Sequence, residues 1–106
     1  MKAVVYLNKS CCAKRRAGFE MEARAFAARR GYSVARTVIE SDSDVLPWLL
    51  VKVQQLEVSA IVTPSLDHLA HRAQDVLARC DLLVVHPAGY LPRGTRLALL
   101  HPGGDA

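Results

Sequence analysis

A serine, two cysteines and several cations share one short segment near the start of this chain, Lys9-Ser10-Cys11-Cys12-Ala13-Lys14-Arg15-Arg16. A carboxylate and two imidazoles share another, Ser65-Leu66-Asp67-His68-Leu69-Ala70-His71. Ser10, Cys11 and Cys12 are candidate nucleophiles: each lies at the start of a helix-like stretch, where free backbone N–H groups and the helix dipole favour anions and thiolates. His68 and His71 can exchange protons or carry charge near neutrality, and Asp67 stands beside them. Lys9, Lys14, Arg15 and Arg16 can hold an anion electrostatically. A nucleophile at a helix start, faced by imidazoles and surrounded by cations, is a geometry for handling phosphate.

Three other chemistries use the same residues. A protein-tyrosine-phosphatase loop needs cysteine, five residues and arginine; counting from Cys11 reaches Ala17 and from Cys12 reaches Gly18, so that loop is absent. His68 and His71, three apart, could join Cys11 or Cys12 around zinc, but a site needs three or four converging ligands and only the histidine pair has useful spacing. No metal or cofactor is therefore expected. In a Ser10–His68–Asp67 relay, Asp67 and His68 would be adjacent on a helix and point about a quarter-turn apart, which does not suit the orienting hydrogen bond of a triad.

These residues need a scaffold that brings the ends of two strands together. Apolar runs recur at Ala3–Leu7, Ser33–Ile39, Ser59–Thr63, Leu82–Val85 and Leu97–Leu100. The first four are nearly continuous, as in parallel strands covered on both faces. Phe19, Ala23, Phe26 and Ala27 recur at helical spacing and predict a helix from about Ala13 to Arg30, stopped by Gly31. Ser43 or Asp44 can cap a second helix that carries Pro47 in its first turn, ends near Gln55 or Leu56, and sends Trp48, Leu49, Val51 and Leu56 into the core. A third begins after Pro64, with Ser65 or Asp67 near its cap, and directs Leu69, Ala73, Val76 and Leu77 inward. The stretch from His86 to Arg96 has two prolines and two glycines and no helical pattern, so the last run, Leu97–Leu100, should return as an antiparallel edge hairpin after a turn at Pro92-Arg93-Gly94. The expected fold is a single three-layer α/β domain over residues 1–106. Its sheet has four or five mainly parallel strands in the order 2-1-3-4, and its tail, 101–106, is flexible. In such a sheet both chemical segments fall at the carboxyl edge, facing one another.

This order of elements resembles the catalytic domain of the serine recombinases, the resolvase and invertase family. Tyr6-Leu7-Asn8-Lys9-Ser10 is similar to the family's Y-x-R-V-S, whose serine attacks DNA phosphodiesters. Ala60 to His71 is similar to its strand followed by L-D-R-L-x-R. Glu40-Ser41-Asp42-Ser43 and Leu46-Pro47-Trp48-Leu49 echo a loop of the E-D-x-S kind and an R-P-x-L helix start. The resemblance runs from about residue 3 to residue 85 and implies a resolvase-like fold, with Ser10 as the nucleophile and Asp67, His68 and His71 at the site.

The departures fall on the cations. Asn8, Leu46, His68 and His71 stand where the resemblance places arginines, and an arginine meeting transition-state charge can be worth roughly 10³–10⁵ in rate. Protonated histidines replace that charge only in part and lack the bidentate fork. The expected function is a catalytically degenerate domain that works by binding to itself, to a protein partner or weakly to DNA. The competing class is an enzyme, a divergent phosphoryl transferase using Ser10 with His68 and His71. The family's domain usually continues into a long dimerisation helix and a DNA-reading part, and apolar surface left bare without that helix would favour a homodimer.

Composition agrees with a folded domain: 51% of residues are apolar and the net charge is +4. Eight of the fourteen cations lie between Lys9 and Arg36 against Glu20 and Glu22, a one-sided field that admits an anionic partner or, more simply, a solvated helix face. Few aromatic residues accompany these cations, which argues against stacking on single-stranded nucleic acid. Three cysteines make no disulfide framework, and the opening residues are too short an apolar run for a signal peptide, so a cytoplasmic protein that does not engage a membrane is expected.

Overall fold

The computed structural model describes residues 1–41 and 46–97. Strand β1 (Lys2–Asn8) leads through a single helical turn, α1 (Lys9–Cys12), into the long helix α2 (Arg16–Arg29). Next come β2 (Ser33–Glu40), α3 (Leu46–Gln55) and β3 (Ala60–Thr63). A 3-10 segment (Leu66–Arg72) precedes the short α4 (Ala73–Leu77), and β4 (Asp81–Val84) and β5 (Gly89–Leu91) complete the sheet. The strand order is β2-β1-β3-β4-β5, parallel except for the antiparallel β4–β5 pair. The mainly parallel α/β sheet expected from the sequence is thus the architecture of the chain, with the 2-1-3-4 order intact.

Both faces of the sheet are covered, which explains the unbroken apolar runs. Along β1, Val4 and Tyr6 face a core completed by Leu46, Leu50 and Val53 of α3 and Val76 and Leu77 of α4. Ala3, Val5 and Leu7 face the opposite core, closed by Ala23, Phe26 and Ala27 of α2. Gly31, at φ +86°, ends α2 with the left-handed turn that a side chain would disfavour.

Four expectations are corrected. The first helix begins at Arg16 rather than Ala13, because Ala13 adopts φ 50°, ψ −121° and breaks the chain into two helices. Helix α3 buries Leu46, Leu50 and Val53, whereas Trp48, Val51 and Leu56 are exposed; both sets have near-helical spacing, and the stripe that meets the sheet is the one starting at Leu46. The third helix is interrupted at Ala70 (φ 50°, ψ −124°), although Leu69, Ala73, Val76 and Leu77 are all buried as predicted. The edge hairpin exists, but its second strand is Gly89–Leu91, paired Leu82 to Leu91 and Val84 to Gly89. It is pinned by Asp81, which accepts from the Tyr90 hydroxyl at 3.1 Å and the Arg93 N–H at 2.7 Å. The Pro92-Arg93-Gly94 turn follows that strand, closed by Thr95 N–H to Pro92 O at 3.0 Å. The Ser43 or Asp44 cap, the strand expected at Leu97–Leu100 beyond its first residue, and the flexible tail 101–106 lie outside the described residues. Among the described residues no helix is long and apolar enough to cross a membrane.

Candidate functional site

The chain reverses its direction of sheet growth between β1 and β3, since β2 lies on one side of β1 and β3 on the other. Open α/β sheets form a crevice at the carboxyl ends of strands flanking such a reversal. The two chemical segments meet there. The Asn8 N–H, at the end of β1, donates to His68 Nδ1 at 3.0 Å, and the Cys11 thiol donates to Asp67 O at 3.6 Å.

Each polar group in this corner has a local cause. Asn8 has extended backbone angles and caps α1: its Oδ1 accepts from the Ser10 N–H at 2.9 Å and from the Ser10 hydroxyl at 2.8 Å. Asn is among the preferred N-cap residues, so this role of Asn8 is local structure and not chemistry. The Ser10 hydroxyl also lies 3.4 Å from Ser41 O. The Cys12 thiol points inward and donates to Asn8 O at 3.2 Å, and burial pushes its pKa up, so it is not a thiolate nucleophile.

His68 is buried, only 2% exposed, and its ring meets Phe19 edge-on at 5.6 Å between centroids. Accepting from a backbone N–H through Nδ1 requires the neutral tautomer with the proton on Nε2. Burial lowers its pKa, partly opposed by the charge of Asp67. His71 lies beyond the Ala70 break and is exposed, so the two histidines do not share one helical face. Asp67 is exposed, and Leu46 is completely buried in the core. Among the described residues no three histidine, cysteine or acidic side chains are grouped to hold a metal ion.

The four cations of the first segment divide. Lys9, Lys14 and Arg16 line an open cleft of about 530 Å³ with Cys12, Ala13 and Ala17. No side chain caps the start of α2 and its first turn holds no acidic residue, so the N-terminal field of that helix adds to the positive charge. Arg15 turns away: its guanidinium stacks over Phe19 at 4.6 Å from the ring centre and lies 3.9 Å from Glu22.

Neither known family models nor curated proteins match this sequence. Among solved structures it is similar to the crystal structure of the N-terminal catalytic domain of TP901-1 integrase, with a TM-score of 0.65. The match covers 94% of this chain and 88% of that one at 15% identity. The fold is that of an integrase catalytic domain. At such identity the likeness speaks for the scaffold alone, and the reading of the site rests on the residues described above.

Proposed function

We propose that this recombinase-like domain is catalytically degenerate and works by binding, with the phosphate backbone of duplex DNA as the ligand of the Lys9, Lys14 and Arg16 cleft. The observation that carries this reading is the Asn8–His68 hydrogen bond. Both residues occupy places that the resemblance gives to arginine, and Asn8 Oδ1 and His68 Nδ1 both accept structural hydrogen bonds. Asn8 holds the Ser10 turn and His68 holds Asn8. Leu46, in a third such place, is core. The Ser10 hydroxyl donates to an amide oxygen, which is too weak a base to take its proton, and the Nδ1 lone pair of His68 is already engaged. Serine attack on a phosphodiester needs a base and fixed positive charge around the phosphorus. The His68 Nδ1 lone pair that could act as base is engaged, and Asn8, Leu46 and His68 put no guanidinium in those places.

Two measurements on the full chain test this. Fluorescence anisotropy of labelled duplex DNA should show binding that weakens with salt, with a log–log slope of roughly −2 to −3 for about three neutralised phosphates. Changing Lys14 and Arg16 to alanine should remove most of that binding. Incubation with supercoiled and nicked DNA, followed by denaturing electrophoresis, should give no protein–DNA adduct for either the wild type or Ser10→Ala. A covalent phosphoserine adduct at Ser10 that depends on His68 would overturn the reading in favour of a divergent phosphoryl transferase. Absence of DNA binding at low salt would remove the nucleic-acid ligand.

A further inference from the structure

Among the described residues the sheet is open along β2, which pairs with β1 and with no other strand. A bulge in the β1–β2 register, where Ala3 pairs with Val34 and Val4 with Arg36, leaves Arg36–Glu40 as the regular part of this edge. Within it the side chains alternate. Thr37 accepts from Arg24 of α2, and Ile39 packs on the same side. Arg36, Val38 and Glu40 lie on the opposite face, where with Trp48, Leu49 and Lys52 of α3 they border a groove of about 250 Å³. Natural edges are commonly blunted by proline, short length, charged side chains or a bulge; here the bulge falls before Arg36 and leaves Arg36–Glu40 regular. This one has eight residues, Ser33–Glu40, without proline.

Two features of the edge are unspent. Trp48 is 78% exposed although the buried stripe of α3 is complete without it. Among the described residues neither Arg36 nor Glu40 has an ion-pair partner. Their spacing is self-complementary. When two copies of β2 pair antiparallel about a twofold axis through Val38, Arg36 of each copy stands opposite Glu40 of the other. An axis through Arg36 or Glu40 would oppose like charges, and one through Thr37 would oppose Arg36 to Val38. Cross-strand opposite charges stabilise a pair and like charges disfavour it, so the charge pattern selects one register.

We propose that the β2–α3 edge is a homotypic docking surface, on which a second copy of this chain adds its β2 antiparallel in the Val38-centred register. The two five-stranded sheets become one continuous sheet. Arg36 and Glu40 form two equivalent ion pairs across the axis, and Trp48 of each copy covers the groove at the seam. The free N–H and C=O groups of the edge are satisfied in the same step.

Sedimentation velocity of the full chain over a wide concentration range, read beside the emission of Trp48, is the test. Trp48 is the single tryptophan, so its emission reports this surface alone. A monomer–dimer equilibrium is expected, with a blue shift of emission following the same midpoint. Arg36→Glu and Glu40→Arg should each weaken the dimer by about tenfold or more, because each places two like-charge pairs across the axis. The combination of the two changes should restore dimerisation to near the wild-type level. Trp48→Ser, an exposed change that spares the core, should also weaken it. Circular dichroism establishes that each variant is folded before it is compared. A monomer at all concentrations, a dimer indifferent to the single reversals, or a folded double variant that fails to recover would each overturn the proposal.

Discussion

The corner between β1 and the 3-10 segment and the cleft beside it share the α1 turn, yet they treat polarity in opposite ways. In the corner, Asn8 Oδ1 accepts from the N–H and hydroxyl of Ser10 and His68 Nδ1 accepts from the Asn8 N–H, bonds between uncharged groups. In the cleft, Lys9, Lys14 and Arg16 hold their charges toward solvent. The difference teaches where recognition can reside. Hydrogen bonds turned inward hold the fold together, and only groups left facing outward have capacity for a ligand. On the proposed reading, two neighbours of one turn divide stability from binding.

Breaking the corner should have the largest effect. His68→Ala removes a buried ring from contact with Phe19 and leaves the Asn8 N–H without its acceptor. A loss of roughly 2–4 kcal/mol in urea denaturation follows from the cavity and the orphaned donor together. A loss below about 0.5 kcal/mol, the level of an ordinary surface change, would mean that His68 does not tie β1 to the segment after β3.

The same histidine predicts a pH dependence of definite sign. Burial holds its native pKa below the ordinary value of about 6.5, so between the two values the unfolded chain binds more protons than the folded one. Stability should be greatest above that range. It should fall as the pH drops below about 6.5, by up to about 1.4 kcal/mol per pH unit, and level off beneath the native pKa. His68→Asn keeps an acceptor but cannot titrate, and its stability should be flat over this window. Glu20 contributes lower on the scale. The Thr37 hydroxyl, followed by Arg24, holds its carboxylate below the usual range, so its contribution is present above about pH 4.3 and is lost as the pH falls through the native value. The two windows can be separated in one series of thermal melts.

Much of this arrangement was legible in the sequence, because strands and their order follow from local apolar pattern. The continuous runs at Ala3 and Leu82 announced a sheet buried on both faces, and Asn8 and His68 were placed in one crevice by topology alone. What escaped depended on phase or on backbone strain. Helix α3 has two apolar stripes at similar spacing, and only the position of the sheet decides that Leu46, Leu50 and Val53 are core while Trp48 is bare. Ala13 and Ala70 both take a positive φ that alanine disfavours, which split two helices that periodicity had joined. The strand Gly89–Leu91 is too short to show a pattern, and its anchor is tertiary, through Asp81. Residue types suggested His68 as a charge carrier. Its burial makes the neutral ring the cheaper form.

The cleft supplies the smallest effect on stability and the sharpest contrast. Its charges lie exposed near one another in sequence, and none of the ion pairs among the described residues uses Lys9, Lys14 or Arg16. Replacing Lys14 and Arg16 with alanine removes mutual repulsion and the positive charge nearest the start of α2, where the helix dipole already disfavours cations. Urea denaturation should show a change within about 0.5 kcal/mol, toward greater stability at low salt and vanishing at high salt as the charges are screened. The same variant should lose most DNA binding, so stability and binding move independently. If it instead unfolded by several kcal/mol, the cleft would be part of the same structural network as Asn8 and His68, and the division between the two halves of the turn would collapse.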